Sequence, residues 1–251
     1  MLTDAQTTQL ISEAKACTVQ FASMLRDASI IGSDGSLSWI DMTKAPAFAT
    51  DWSVSKHMDA SLAYGLGGVA FALNQAYRAS AVTSFHVAAD AAKKTGQALV
   101  GTADTASKFV GTDTWWDSQQ AKQVLSEKTG KTTQTGYVGD DIIATWGDIL
   151  AGAPVRAALC DTACDFIVNG TSDRISNGRC GLLALMPTAV LTRGIADAII
   201  WMMADLKQNG PRDLAVFGQI RWNYISGLAG LVATLAGLAD YPRHRTMGGH
   251  P

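Results

Sequence analysis

The sequence predicts an all-α protein, a multi-helix bundle whose packing helices are rich in Gly and Ala. Three observations carry this expectation. Apolar residues recur at steps of three and four along several stretches, as on one face of a helix. No stretch of four to eight residues alternates apolar and polar side chains in the manner of a half-buried strand. Two eighteen-residue uncharged runs, 60–77 and 222–239, consist mainly of Leu, Ala and Gly, a composition that lets helix backbones approach closely.

Taken in order, Thr3 and Gln6 form a capping box, and Leu10, Ala14, Cys17, Phe21, Met24 and Ala28 follow as one apolar stripe. Ser33-Asp34-Gly35 reads as a turn, and residues 36–55 read as irregular, anchored by Trp39, Pro46 and Trp52. From Asp59 to Lys94 the chain reads as helix. Residues 95–139 are the most polar part, surround Trp115-Trp116, and read as a linker or exposed excursion. A helix is predicted over 141–151, ended by Gly152-Ala153-Pro154, and another over 155–168 with Val155, Leu159, Thr162, Phe166 and Ile167 inward. Pro187 opens the last clear amphipathic stripe, Leu191, Ile195, Ile199, Met202 and Leu206, which stops at Asn209-Gly210-Pro211. The organisation expected is an N-terminal helical region over 1–94, the polar stretch 95–139, and a C-terminal helical bundle over 140–251.

Composition narrows the function classes. Net charge is −2 and the longest basic doublet is Lys93-Lys94, so there is no electrostatic footprint for duplex nucleic acid. The first residues lack the basic and apolar regions of a cleaved signal, and an intracellular protein with reduced cysteines is expected. Charged residues make up only 17% of the chain, below the roughly 25% of ordinary soluble domains. Only Glu13 and Glu127 are Glu, so exposed helix faces lack the usual Glu-to-Lys pairs. Much of the surface is therefore expected to be covered by other subunits.

Strings that could carry chemistry are few. Gly65-Leu66-Gly67-Gly68-Val69-Ala70, with Asp90 twenty residues beyond, has the spacing of a dinucleotide fingerprint, but KHMDASLAY before it is not the buried strand that motif needs. Cys160, Cys164 and Cys180 could converge on zinc, yet no fourth ligand sits at a recognisable spacing. His86 has no carboxylate placed to orient it in any known catalytic string, and Asp140-Asp141, Asp161 and Asp165 read as helix-start and polar-face residues. No cofactor and no metal are expected. An enzyme or nucleotide-binding protein with a scattered site, around Cys160, Cys164 and His86, is kept as an alternative.

The apolar runs carry the remaining signal. Eighteen residues at ~1.5 Å each reach ~27 Å, just short of a ~30 Å hydrocarbon core. Ser226, Gly230, Ala233 and Gly237 form a small-residue ridge in the second run, with Trp222 at its start; Gly65 and Gly68 stand in the first. Gly65-Leu66-Gly67-Gly68 with Leu73 matches Gly227-Leu228-Ala229-Gly230 with Leu235, a likeness that Gly/Ala-rich sequence produces easily, with internal duplication as the alternative. The expectation is a non-enzymatic structural or assembly subunit, scaffold or coat-like, whose ridge residues Ser226, Gly230, Ala233, Gly237, Trp222, Gly65 and Gly68 meet other protein subunits. Bilayer contact, by an integral or peripheral membrane-shaping protein, is the alternative.

Overall fold

The computed structural model describes residues 2–44, 52–58, 62, 65–100, 156–175, 178–184, 186, 190–216 and 218–240. The expected linker beyond residue 100, the helix over 141–151, Trp115-Trp116, Pro46 and the tail from 241 lie outside these. Among the described residues the architecture is predominantly helical. The helices are α1 (Asp4–Asp27), α2 (Leu66–Ser80), α3 (Thr83–Val100), α4 (Arg156–Asn169), α5 (Arg179–Ala184), α6 (Arg193–Asn209) and α7 (Leu228–Ala239). Three two-stranded antiparallel hairpins, unforeseen in the sequence, pair β1 (Ile30–Ile31) with β2 (Leu37–Ser38), β3 (Ile40–Lys44) with β4 (Trp52–His57), and β5 (Ala215–Val216) with β6 (Gln219–Ile220). The span 36–55 is thus partly strand. Four of these six strands have only two residues, too short to show an alternating pattern.

Helix α1 begins at the capping box: the Thr3 hydroxyl accepts from Gln6 N and the Gln6 side chain accepts from Thr3 N. Its buried stripe is Leu10, Ala14, Cys17, Thr18, Phe21, Ala22 and Leu25, whereas Met24 is exposed. The stripe drifts because 3.6 residues per turn carries a fixed three-four pattern slowly around the helix. The Trp39 indole, fully buried, donates to Leu25 O at 2.7 Å and ties the strand region to the end of α1.

The helix expected over 59–94 is two helices. The chain breaks at Ala81, whose φ of +60° is left-handed, and α3 continues to Val100. The helix expected from 222 begins only at Leu228. Asn223 Oδ1 accepts from Ser226 N at 2.9 Å, and Leu228 N reaches back to Arg221 O at 2.8 Å, so residues 221–227 fold into a compact loop before Gly227 caps α7. No helix among the described residues is long and apolar enough to cross a membrane. At twelve residues, α7 reaches about 18 Å, short of a ~30 Å hydrocarbon core.

The likeness between 65–73 and 227–235 reflects shared geometry, and a third copy exists. Leu62/Gly65/Gly68, Ile175/Gly178/Gly181 and Tyr224/Gly227/Gly230 occupy equivalent places. In each, a Cβ on the second glycine would collide with the backbone carbonyl oxygen six residues earlier, that of Leu62, Ile175 or Tyr224. The amide of the residue after the first glycine also bonds seven residues back in two copies, Arg179 N to Ser172 O and Leu228 N to Arg221 O, both at 2.8 Å. The loop can close against its helix only where the second glycine has no side chain.

One core joins the two predicted helical regions. Helix α7 is the central element, buried along its length except at Gly237, and it packs against α1 and α2; α1 also contacts α6, α2 packs on α3, and α4 lies on α6. Residues of both 1–94 and 140–251 therefore share a single apolar cluster.

Candidate functional site

The β1–β2 hairpin is built by its turn. Gly35 adopts φ +77°, Gly32 N bonds Ser36 O at 2.9 Å, and Asp34 Oδ1 accepts from Ser36 N at 3.0 Å. A Cβ on Gly32 would meet Asp34 Oδ1 at 2.7 Å and crowd the Ser36 hydroxyl, so a larger residue there would have to displace these two side chains. The Ser36 side chain and amide hold the Asp34 carboxyl below its ordinary range. Thr95 fastens the hairpin to α3: its hydroxyl donates to Ala91 O at 2.9 Å and accepts from Leu37 N at 3.2 Å.

Between hairpin and helix lies an open cleft of about 460 Å³, lined by Asp34 and Ser36 on one side and by Val87, Asp90, Ala91, Lys94 and Thr95 on the other. Its lining combines Val87, Ala91 and Ala98 with both signs of charge, Asp34, Asp90 and Lys94. Val87 is 62% exposed at the cleft, and Ile31, on the hairpin, is 73% exposed. Large apolar side chains so fully in water are candidate contact points when they border a concave surface. Beside the cleft, His86 stacks on Tyr77 with ring centroids 4.8 Å apart, and its Nε2 lies 3.6 Å from Asp90 Oδ2.

A second chemical cluster is structural in its completeness. Arg179 is fully buried and makes five side-chain bonds: two to Asp173 at 2.6 and 3.0 Å, two to Asp205 Oδ2 at 3.3 Å, and one to Ile167 O at 3.4 Å. Arg212 adds a 2.9 Å contact to Asp205, and its amide donates to Asp173 Oδ2 at 2.6 Å. Five bonds match the five donors of a guanidinium, which leaves none for a ligand. Burial pushes the Asp205 carboxyl up, but hydrogen bonds from Asn209 and Arg212 and the charges of Arg212 and Arg179 outweigh it and hold it below its ordinary value.

The residues singled out in the sequence fall in two environments. Ser226, Gly230 and Ala233 are buried within the chain's own packing, and so are Gly65 and Gly68; Trp222 is half-buried, and Gly237 is exposed with open space around it. A Cβ on Gly68 would stand 2.6 Å from Tyr224 Cβ. The first turn of α2 is therefore filled by protein where a dinucleotide phosphate would need room. Cys180 is buried in α5, apart in exposure from the half-buried Cys160 and Cys164 on α4, and no group of three or more His, Cys, Asp or Glu among the described residues is arranged to hold a metal. Asp161 and Asp165 lie on the exposed face of α4 as expected.

The cleft escaped sequence reasoning because its two walls meet through a contact between residues 37 and 95. The one available signal was Asp34-Gly35, a tight turn. Comparison of the chain with protein-family models and with curated proteins finds no match.

Proposed function

We propose that the protein is a non-enzymatic assembly subunit, a helical body that presents the face formed by α3 and the β1–β2 hairpin to a peptide segment of another protein. The observation that supports this reading is the exposure of Val87 in a cleft whose lining also includes Ala91, Ala98 and both signs of charge, with Ile31 exposed on the hairpin that forms its other wall. An apolar side chain of the partner would lie over Val87, Ala91 and Ala98, while Asp34, Asp90 and Lys94 would meet its polar groups. Of the residues read from the sequence as a partner-facing ridge, Ser226, Gly230 and Ala233 are buried in the chain's own packing and Gly237 is exposed, and our reading puts the partner contact on α3 instead.

The test is native mass measurement of the tagged full-length chain recovered from its own cells, as wild type and as an Ile31→Asp/Val87→Asp variant, with Trp201→Asp as a control on a different exposed helix face. The reading expects a stoichiometric protein partner with wild type and control and its loss in the double variant, with Tm unchanged. A monomer in every case, or a partner retained equally by the double variant, sinks it.

A further inference from the structure

The hydrogen bonds of the β1–β2 hairpin fix which way its backbone groups point. Gly32 N donates to Ser36 O, so these two residues are a bonded pair of the antiparallel ladder. The next pair, Ile31 opposite Leu37, is then an unbonded one whose amides and carbonyls turn outward. The Leu37 amide bears this out, because it donates away from β1 to the Thr95 hydroxyl of α3 at 3.2 Å. That edge of the hairpin is closed.

The opposite edge is open. There Ile31 presents one N–H and one C=O on the side away from α3, and among the described residues β1 pairs with β2 alone and no hydrogen bond reaches either group. The amide two residues back is already taken, Ser29 N donating to Arg26 O at 3.0 Å. Ile31 is also the most exposed large apolar residue among those described, and Met24, Ile30 and Ile40 are exposed as well. From Ala28 to Ser33 there is no charge and no proline, so the edge lacks the residues by which edge strands commonly repel a neighbour.

We propose that two copies of this chain pair edge to edge through β1, Ile31 opposite Ile31 about a two-fold axis. A strand backbone meets an N–H and a C=O of one residue with two bonds in register. About a two-fold axis the amide of each Ile31 reaches the carbonyl of the other, so the patch is complementary to itself, as an isologous interface requires. The two Ile31 side chains then lie side by side as a β-branched cross-strand pair, and residues 29–33 oppose one another without a charge among them, so no like charges meet. The edge faces away from α3, which leaves the cleft free for the partner segment proposed above.

Sedimentation equilibrium of the purified full chain over a range of concentrations tests this, with Ile31→Pro, Ile31→Val and Val87→Asp beside wild type. Proline at 31 removes the outward amide and none of the hairpin's own bonds, at an edge position where proline is tolerated. Wild type, Ile31→Val and Val87→Asp should share one monomer–dimer equilibrium. Ile31→Pro should raise its dissociation constant roughly tenfold or more, because each copy loses a donor. In wild type, exchange of the Ile31 amide should slow as concentration rises while amides of α7 do not change, a readout independent of how the proline variant folds. A wild-type chain monomeric at every concentration, an Ile31→Pro dimer as tight as wild type, or Ile31 exchange indifferent to concentration overturns the proposal. A dimer lost in Val87→Asp and kept in Ile31→Pro also overturns it and moves the interface to the cleft.

Discussion

Gly230 and Gly237 lie two turns apart on α7 in opposite surroundings. A Cβ on Gly230 would collide with Tyr224 O and press Ile175 Cδ1 at 3.0 Å, whereas nothing lies within 4 Å of the same atom on Gly237. Gly230→Ala should therefore destabilise by at least the about 1–3 kcal/mol of core overpacking. Gly237→Ala should stabilise by about 0.5–1 kcal/mol, because alanine is the better helix former at an open helix position. Urea midpoints of the two variants check both signs. Arg179 supplies a second contrast. Replacing it with Met leaves the buried Asp173 without a guanidinium partner and Asp205 with Arg212 alone, and a loss of about 3–5 kcal/mol is expected.

Asp205 also sets a pH dependence. Its carboxyl is held below its ordinary value in the folded protein, so its contribution to stability is fully present above the unfolded-state pKa of about 3.9 and disappears as pH falls through the lower folded value. Asp205→Asn should flatten that part of the acid-unfolding curve, followed by circular dichroism. A curve for the Asn variant parallel to wild type below pH ~4 contradicts the assignment.

At the scale of elements, α1 and α6 were legible because each has one wet and one dry face, and a 3.6-residue period is visible only when the faces differ. Helix α7 offered no such contrast: it is buried almost all round, and hydropathy extended it backwards through Trp222 to Ser226. Local side-chain chemistry ended that extension, since Asn223 and Ser226 bond each other and the backbone in preference to continuing a helix. The β1–β2 hairpin is held to α3 by the Thr95 hydroxyl. Thr95→Val should cost about 0.5–1.5 kcal/mol, the net worth of one hydrogen bond. Hydrogen exchange at the Leu37 amide should then accelerate while amides of α7 keep their protection.

At the scale of the molecule, α1 and α7 lie far apart in sequence and pack directly on each other. The first helix supplies Leu10, Phe21 and Leu25 to the same core that holds Leu228, Leu231 and Leu235. Removal of residues 1–27 should therefore expose α7 and abolish cooperative unfolding of the remainder, seen as loss of a sigmoidal thermal transition. A truncated chain that still unfolds cooperatively would mean that the C-terminal half has a core of its own.

The sequence by itself determined that the chain is mainly helical, the course of α1 and the end of α6. It also placed the caps Thr3 and Asn209-Gly210, since these are local matters of period and backbone hydrogen bonding. Tertiary structure decided the rest. It turned Ser226, Gly230 and Ala233 inward, gave Arg179 its two carboxylates from residues 173 and 205, and brought residue 37 against residue 95. Each of these depends on contacts between segments distant in the chain. A buried glycine or a buried arginine carries no local mark that separates it from one at the surface.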